Sequence, residues 1–218
     1  MKKLILFASA MLFCVLLAAS PRKVEENPVT QDVNIVEFTD LSVSIPCVIN
    51  YEAGEPAMRI EGFDRSVKNV LVKNVNGKLT ITSERKLVRN LSRIVITLSS
   101  STLNSVSVNG AAEFRTVEGF ENTELSISVN GAGIINASNV TADNLKVTVN
   151  GAGKLNMTEL FCQESLKFVI NGAGDAVVAG YAKNANVKIN GAGGVDIIGL
   201  STEKLSTTVN GVGSIRCE

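Results

Sequence analysis

Six times in one chain an asparagine is followed by glycine, a small residue and a second small residue, at almost constant spacing. The copies read SVNGAAEF (107–114), SVNGAGII (128–135), VTVNGAGKL (147–155), VINGAGDA (169–176), KINGAGGV (188–195) and TVNGVGSI (208–215). Their first asparagines are Asn109, Asn130, Asn150, Asn171, Asn190 and Asn210, at intervals of 21, 20, 21, 19 and 20 residues. A fixed period near twenty marks a solenoid or another repeat array, because each unit buries its apolar face only against its neighbours. Of the 18 glycines, 15 lie from Gly110 onward, so the glycine usage belongs to the repeat.

Each copy has the same internal plan. Before the asparagine runs an alternating stretch, such as Leu145-Val147-Val149 or Leu166-Phe168-Ile170. Period two means one buried and one polar face. After the glycines, apolar residues return five and seven places past the asparagine, as at Leu155 and Met157 or Val195 and Ile197. A third apolar position follows at Val140, Leu160, Tyr181 and Leu200. No copy holds a stretch with helical spacing, so the repeat is all-β.

Two architectures fit this pattern. Asn-Gly between alternating strands is a hairpin signal, which gives an antiparallel β-meander. Alternatively each unit is one coil of a parallel β-helix, with equivalent residues stacked at about 4.8 Å. The β-helix explains more, because stacked coils let the asparagines hydrogen-bond to one another as a ladder. On this reading the corner residues are Asn109, Asn130, Asn150, Asn171, Asn190 and Asn210 with Gly131, Gly133, Gly151, Gly153, Gly172, Gly174, Gly191 and Gly193. The glycines would supply positive φ and room for close backbone passage.

Residues 33–102 read as less regular coils of the same domain, 103–218 as the regular repeats. Strands are expected at Val33–Phe38, Leu41–Ile45, Met58–Ile60, Val70–Val72, Leu79–Ile81 and Ile94–Leu98, and Val75-Asn76-Gly77 reads as a worn copy of the corner. Arg85, Lys86, Arg89 and Arg93 form a basic patch expected on a solvated loop. Residues 1–20 have the form of a secretory signal peptide: Lys2 and Lys3, an apolar run from Leu4 to Leu17, then Ala18-Ala19-Ser20. That run is short for a membrane span, so no span is expected in the mature chain. Cys14 offers a lipidation alternative, although bulky Phe13 precedes it. Residues 21–32, polar with two prolines, read as a linker.

Composition removes several function classes. Lys plus Arg and Asp plus Glu are 21 each, and loss of the leader leaves 19 against 21, so nothing points to nucleic acid. There is no His, no Trp and no paired-cysteine motif, so no metal, cofactor or catalytic residue is expected. Cys47, Cys162 and Cys217 are an odd set, and the last two fall at apolar positions of the repeat, as small core hydrophobes. Asp175 and Asp196 lie four and six places past their asparagines, out of register for a carboxylate pair or a calcium-binding corner.

A leader, an irregular strand-rich first half and serial NGAG corners together resemble the head GIN domain of auto-transporter adhesins, over about residues 33–216. The resemblance implies a right-handed β-helix exported to the envelope or surface, binding a surface polymer or an envelope protein. A polysaccharide-active β-helix enzyme is the alternative, and the absence of clustered acids and aromatic platforms weighs against it. Outward rows such as Ser126-Ser128, Lys146-Thr148 and Lys188 suit a shallow, multivalent contact.

Overall fold

The computed structural model describes residues 28–84 and 94–217. It is nearly all-β, with stacked coils forming a β-solenoid of about six turns. The first half contains β1 (Pro28–Asp32), β2 (Asp40–Val43), β3 (Val48–Ala53), β4 (Ala57–Phe63), the one-turn helix α1 (Asp64–Val67), β5 (Val70–Val75), β6 (Lys78–Ser83) and β7 (Val95–Ser100). The repeats supply β8 (Ser105–Gly110), β9 (Glu113–Thr116), β10 (Phe120–Gly131), β11 (Ile134–Ser138), β12 (Val140–Gly151), β13 (Lys154–Gly172), β14 (Asp175–Gly191), β15 (Gly194–Asp196), β16 (Leu200–Gly211) and β17 (Ser214–Arg216).

Pairing through the repeats is parallel throughout, which excludes the meander. Strands before the corner form one side, in the order β6, β2, β8, β10, β12, β13, β14, β16. Strands after the corner form a second side, β7, β3, β9, β11, β13, β14, β15, β17. The leading parts of β10, β12 and β16 and the middle stretches of β13 (160–162) and β14 (180–182) make the third side. Alternation sends every second side chain inward, so residues of one kind stack in columns. Leu41, Val106, Ile127, Val147, Phe168 and Val187 share a column and none is more than 1% exposed.

The spacing irregularity has a place. Register shifts fall between Ala142 and Asn144, between Met157 and Leu160, and between Cys162 and Ser165, all on the third side or its edges. Coils of 19 and 21 residues absorb their difference there, and the asparagines stay aligned.

The first half departs from the expected coils where pairing turns antiparallel. β5 pairs antiparallel with β6, and the Val75-Asn76-Gly77 stretch is the hairpin turn between them, not a worn corner. Asn76 and Gly77 have φ of 52° and 75°, the left-handed pair that a two-residue hairpin loop requires. On the second side β4 runs antiparallel to β7 and β1 antiparallel to β4. Residues 28–32, expected within the linker, are therefore a paired strand. Residues 33–38, expected as a strand, instead cross between sides as irregular chain: the Val33 N–H donates to the Met58 carbonyl of β4 at 2.9 Å, and Asn74 Nδ2 donates to the carbonyl of Val36 at 2.8 Å. The leader, Cys14 and the basic patch at 85–93 lie outside the described residues.

The core runs along the whole solenoid axis. Tyr51, on the β3 strand that the sequence reading passed over, is 1% exposed, stacks on Phe114 and meets Phe120 edge-on. Its hydroxyl lies 3.2 Å from the carbonyl oxygen of Ser100 and 3.3 Å from the Ser100 hydroxyl. Cys162 is buried as expected; Cys47 is buried too, and burial pushes its thiol up to about 12. Cys217, expected as a small core hydrophobe, instead follows β17 and is exposed.

Candidate binding surface

The corner is built from backbone first. Asn130, Asn150, Asn171, Asn190 and Asn210 pair directly in register with the asparagine of the neighbouring coil, as do the following glycines. Each side-chain Nδ2 donates to the Oδ1 of the preceding coil: Asn130 to Asn109 at 3.0 Å, Asn150 to Asn130, Asn171 to Asn150 and Asn190 to Asn171 at 2.8 Å, and Asn210 to Asn190 at 2.9 Å. All five bonds point the same way, so their dipoles add. The ladder stands on the outer surface, with Asn109, Asn130, Asn150 and Asn190 half-buried and Asn171 and Asn210 exposed.

The two glycines of a corner serve different ends. Gly151 has φ +127°, and a Cβ there would meet the Gly131 carbonyl oxygen at 2.6 Å. Gly153 has no such φ. It is buried, and a Cβ would meet Val129 Cγ1 at 2.6 Å and the Gly133 oxygen at 3.0 Å. The first glycine turns the chain and the second lets backbone pass over inward valines. Gly131, Gly172 and Gly191 repeat the first role, Gly133, Gly174 and Gly193 the second. The first copy tolerates Ala112 in the second place because the coil before it has no matching corner: a Cβ on Gly110 would meet nothing within 4 Å. Backbone bonds such as Ala152 N–H to the Gly131 oxygen and Lys154 N–H to the Gly133 oxygen, both 2.9 Å, carry the ladder around the bend.

Outside this corner the first side is flat and polar. One outward column holds Ser105, Ser126, Lys146, Lys167, Asn186 and Ser206, the next Ser42, Ser107, Ser128, Thr148, Val169, Lys188 and Thr208. Lys146 and Lys167 are stacked like charges, and no ion pair among the described residues involves them or Lys188. A shallow groove of about 230 Å³ beside them is lined by Asn104, Glu124, Ser126, Asn144, Lys146 and Lys167, among others.

The acids are spread out and engaged locally. Asp175 Oδ1 accepts from the Gly194 N–H at 3.1 Å, and Asp196 meets Arg216 at 2.9 Å while accepting from the Ile198 N–H. Glu113 bonds Arg115 at 2.7 Å and Asn136 at 2.7 Å, and the Arg115 bond is the main reason its carboxyl titrates below its usual range. Among the described residues no group of three or more His, Cys, Asp or Glu is placed to hold a metal ion.

One surface feature escaped the sequence reading. Tyr181, expected inward, points outward and stacks on Phe161 at 5.4 Å, because Gly180 takes the inward place opposite Leu160. The register shift between Met157 and Leu160 causes this, and only the adjacent Leu160-Phe161 pair hinted at it. The Tyr181 hydroxyl donates to Glu203 Oε1 at 2.9 Å, which holds its phenol above the usual range.

A parallel β-solenoid of stacked coils, with outward polar groups arrayed in rows, places the chain in the class of β-helical repeat proteins. The chain is a member of the family described as "Putative auto-transporter adhesin, head GIN domain", whose model matches residues 37–218. The solved structure of a protein described as "putative adhesin" from Parabacteroides distasonis ATCC 8503 shares the fold with a TM-score of 0.83, at 20% identity over 88% of this chain and 82% of that one. A protein from Bacteroides fragilis NCTC 9343 with the same description gives 0.70, at 20% identity over 88% and 98%. A second Parabacteroides distasonis protein, described as lipid-binding, gives 0.57 at 15% identity over 89% and 98%. No curated protein matches the chain. No helix among the described residues is long and apolar enough to cross a membrane.

Proposed function

We propose that this chain is an exported envelope protein of adhesin type, which binds a surface polymer or an envelope protein along the first side of its solenoid and carries out no catalysis. The observation that supports the reading is the continuity of that side: one polar column runs unbroken from Ser105 to Ser206, and the next, from Ser42 to Thr208, is interrupted once, at Val169. A contact repeated every coil is weak per coil and strong along the stack. Lys146, Lys167 and Lys188, in no ion pair among the described residues, favour a ligand carrying carboxylate, sulfate or phosphate groups. The leader-like first twenty residues and the adhesin family support export to the periplasm, outer membrane or cell surface.

The test is a glycan and matrix-protein array probed with the purified chain, paired with surface proteolysis of intact cells. Binding that falls at least tenfold in Lys146→Glu/Lys167→Glu is expected, with a protein about twenty residues shorter than its precursor. Turnover of a polysaccharide, abolished by changing a single carboxylate, would overturn this reading in favour of an enzyme.

A further inference from the structure

The two ends of the solenoid are finished differently. At the first end the parallel sides are closed by antiparallel strands, β5 over β6 and β1 over β4. At the other end β16 and β17 each pair on one edge only, with β14 and β15. The last coil exposes residues that are covered in earlier coils: Leu205 is 38% and Val209 40% exposed, against 3% or less for Ala185, Leu166, Ile189 and Ile170 in the same columns. An exposed parallel edge backed by apolar side chains is a template for another strand.

The edge sequence indicates which strand. Residues 204–210 read Lys-Leu-Ser-Thr-Thr-Val-Asn, a pattern that is nearly its own reverse about Thr207. Leu205, Thr207 and Val209 point inward, and Lys204, Ser206, Thr208 and Asn210 outward. Antiparallel pairing of two such strands about Thr207 sets Leu205 against Val209, Ser206 against Thr208, Thr207 against itself and Lys204 against Asn210. The Thr207–Thr207 and Ser206–Thr208 pairs are favourable hydroxyl pairs, Leu205–Val209 matches apolar with apolar, and no like charges face each other.

Two details of the last coil fit that partner. Thr207 is the polar member of a column otherwise filled by Val106, Ile127, Val147, Phe168 and Val187. Facing its own copy across a two-fold axis, its hydroxyl gains a hydroxyl partner. Asn210 donates through Nδ2 to Asn190, so its Oδ1 is the acceptor at which the ladder ends. The Lys204 ammonium of the second copy is the donor that pairing brings to it. Lys204 takes part in no ion pair among the described residues.

We propose that β16 is a self-complementary edge, and that two copies of this chain join end to end through it about a two-fold axis at Thr207. The assembly closes at two, because the far ends carry β1 and β5 in place of an open parallel edge. The result is a rod of twice the length, with the first side of both solenoids in one continuous sheet.

Sedimentation and light scattering of the purified chain over a wide concentration range test this. The mass should rise from one copy to two and stop, and the amides of β16 should gain exchange protection in the same range. Thr207→Lys sets like charges against each other on the axis and should give monomer with an unchanged far-ultraviolet circular dichroism spectrum. Asn156→Lys, exposed on the second side, should leave the dimer intact. A chain that stays monomeric at every concentration, assemblies that grow past two, or a Thr207→Lys variant that still dimerises would each overturn the proposal.

Discussion

Asparagine is a poor strand residue, and its repetition at one outward position makes sense only through its neighbours. An interior rung such as Asn150 makes two side-chain bonds, donating to Asn130 and accepting from Asn171, whereas Asn210 only donates, to Asn190. Asn150→Ala should therefore lower stability by about 1–2 kcal/mol and Asn210→Ala by less, read as shifts in denaturant midpoint. Equal losses would mean that the ladder adds nothing beyond backbone pairing. Glu113 makes a second prediction at this scale. Its bond to Arg115 favours the charged form, so the folded state titrates below the usual 4.5. Stability from this pair is present above that value and is lost as pH falls through the lower, folded one. Glu113→Gln should flatten the acid limb of stability against pH, and an unchanged limb would show that the pair is too exposed to matter.

At the scale of the element, the same dipeptide makes two structures. In the repeats only the glycine of Asn-Gly has positive φ, while Asn76 and Gly77 both do. What differs is downstream: a second glycine or alanine lets the repeat corner close over inward valines, and Lys78-Leu79 returns at once as a strand. The repeated columns were therefore legible from the sequence, because six copies average out the ambiguity of one. The hairpin, β1, α1 and the outward turn of Tyr181 were not, since each occurs once and depends on contacts far along the chain or on a register shift. The bend after the second side shows such a local cost. Asn139 and Glu159 both sit in the left-handed region, with φ of 54° and 55°, but only asparagine adopts it readily. Glu159→Gly should raise stability by about 0.5–1 kcal/mol, measured as a higher melting temperature. A loss would mean that the Glu159 side chain supports the bend.

Across the whole molecule, stability resides in interfaces between successive coils, because each coil touches little beyond the one before and the one after it. The rung is the unit, and whole rungs should be removable. Deleting residues 131–150 joins Asn130 to Gly151, removes one coil of twenty residues and leaves Asn171 stacked on Asn130, with Leu155 placed where Ile135 had been. The shortened chain should fold cooperatively, with the same strand content per residue and a modest loss of stability from one fewer interface. Deleting residues 131–140 instead removes half a coil. It brings the third side to where the second belongs, breaks the ladder and leaves the inward columns of Val129 and Ile170 without a partner rung between them. Misregistered strands lose the burial that holds them, so this variant should aggregate or unfold. Circular dichroism and denaturant titration of the two variants discriminate: if both fold equally well, the stack is not held by coil-to-coil register; if neither folds, cooperativity extends over the entire solenoid instead of from neighbour to neighbour.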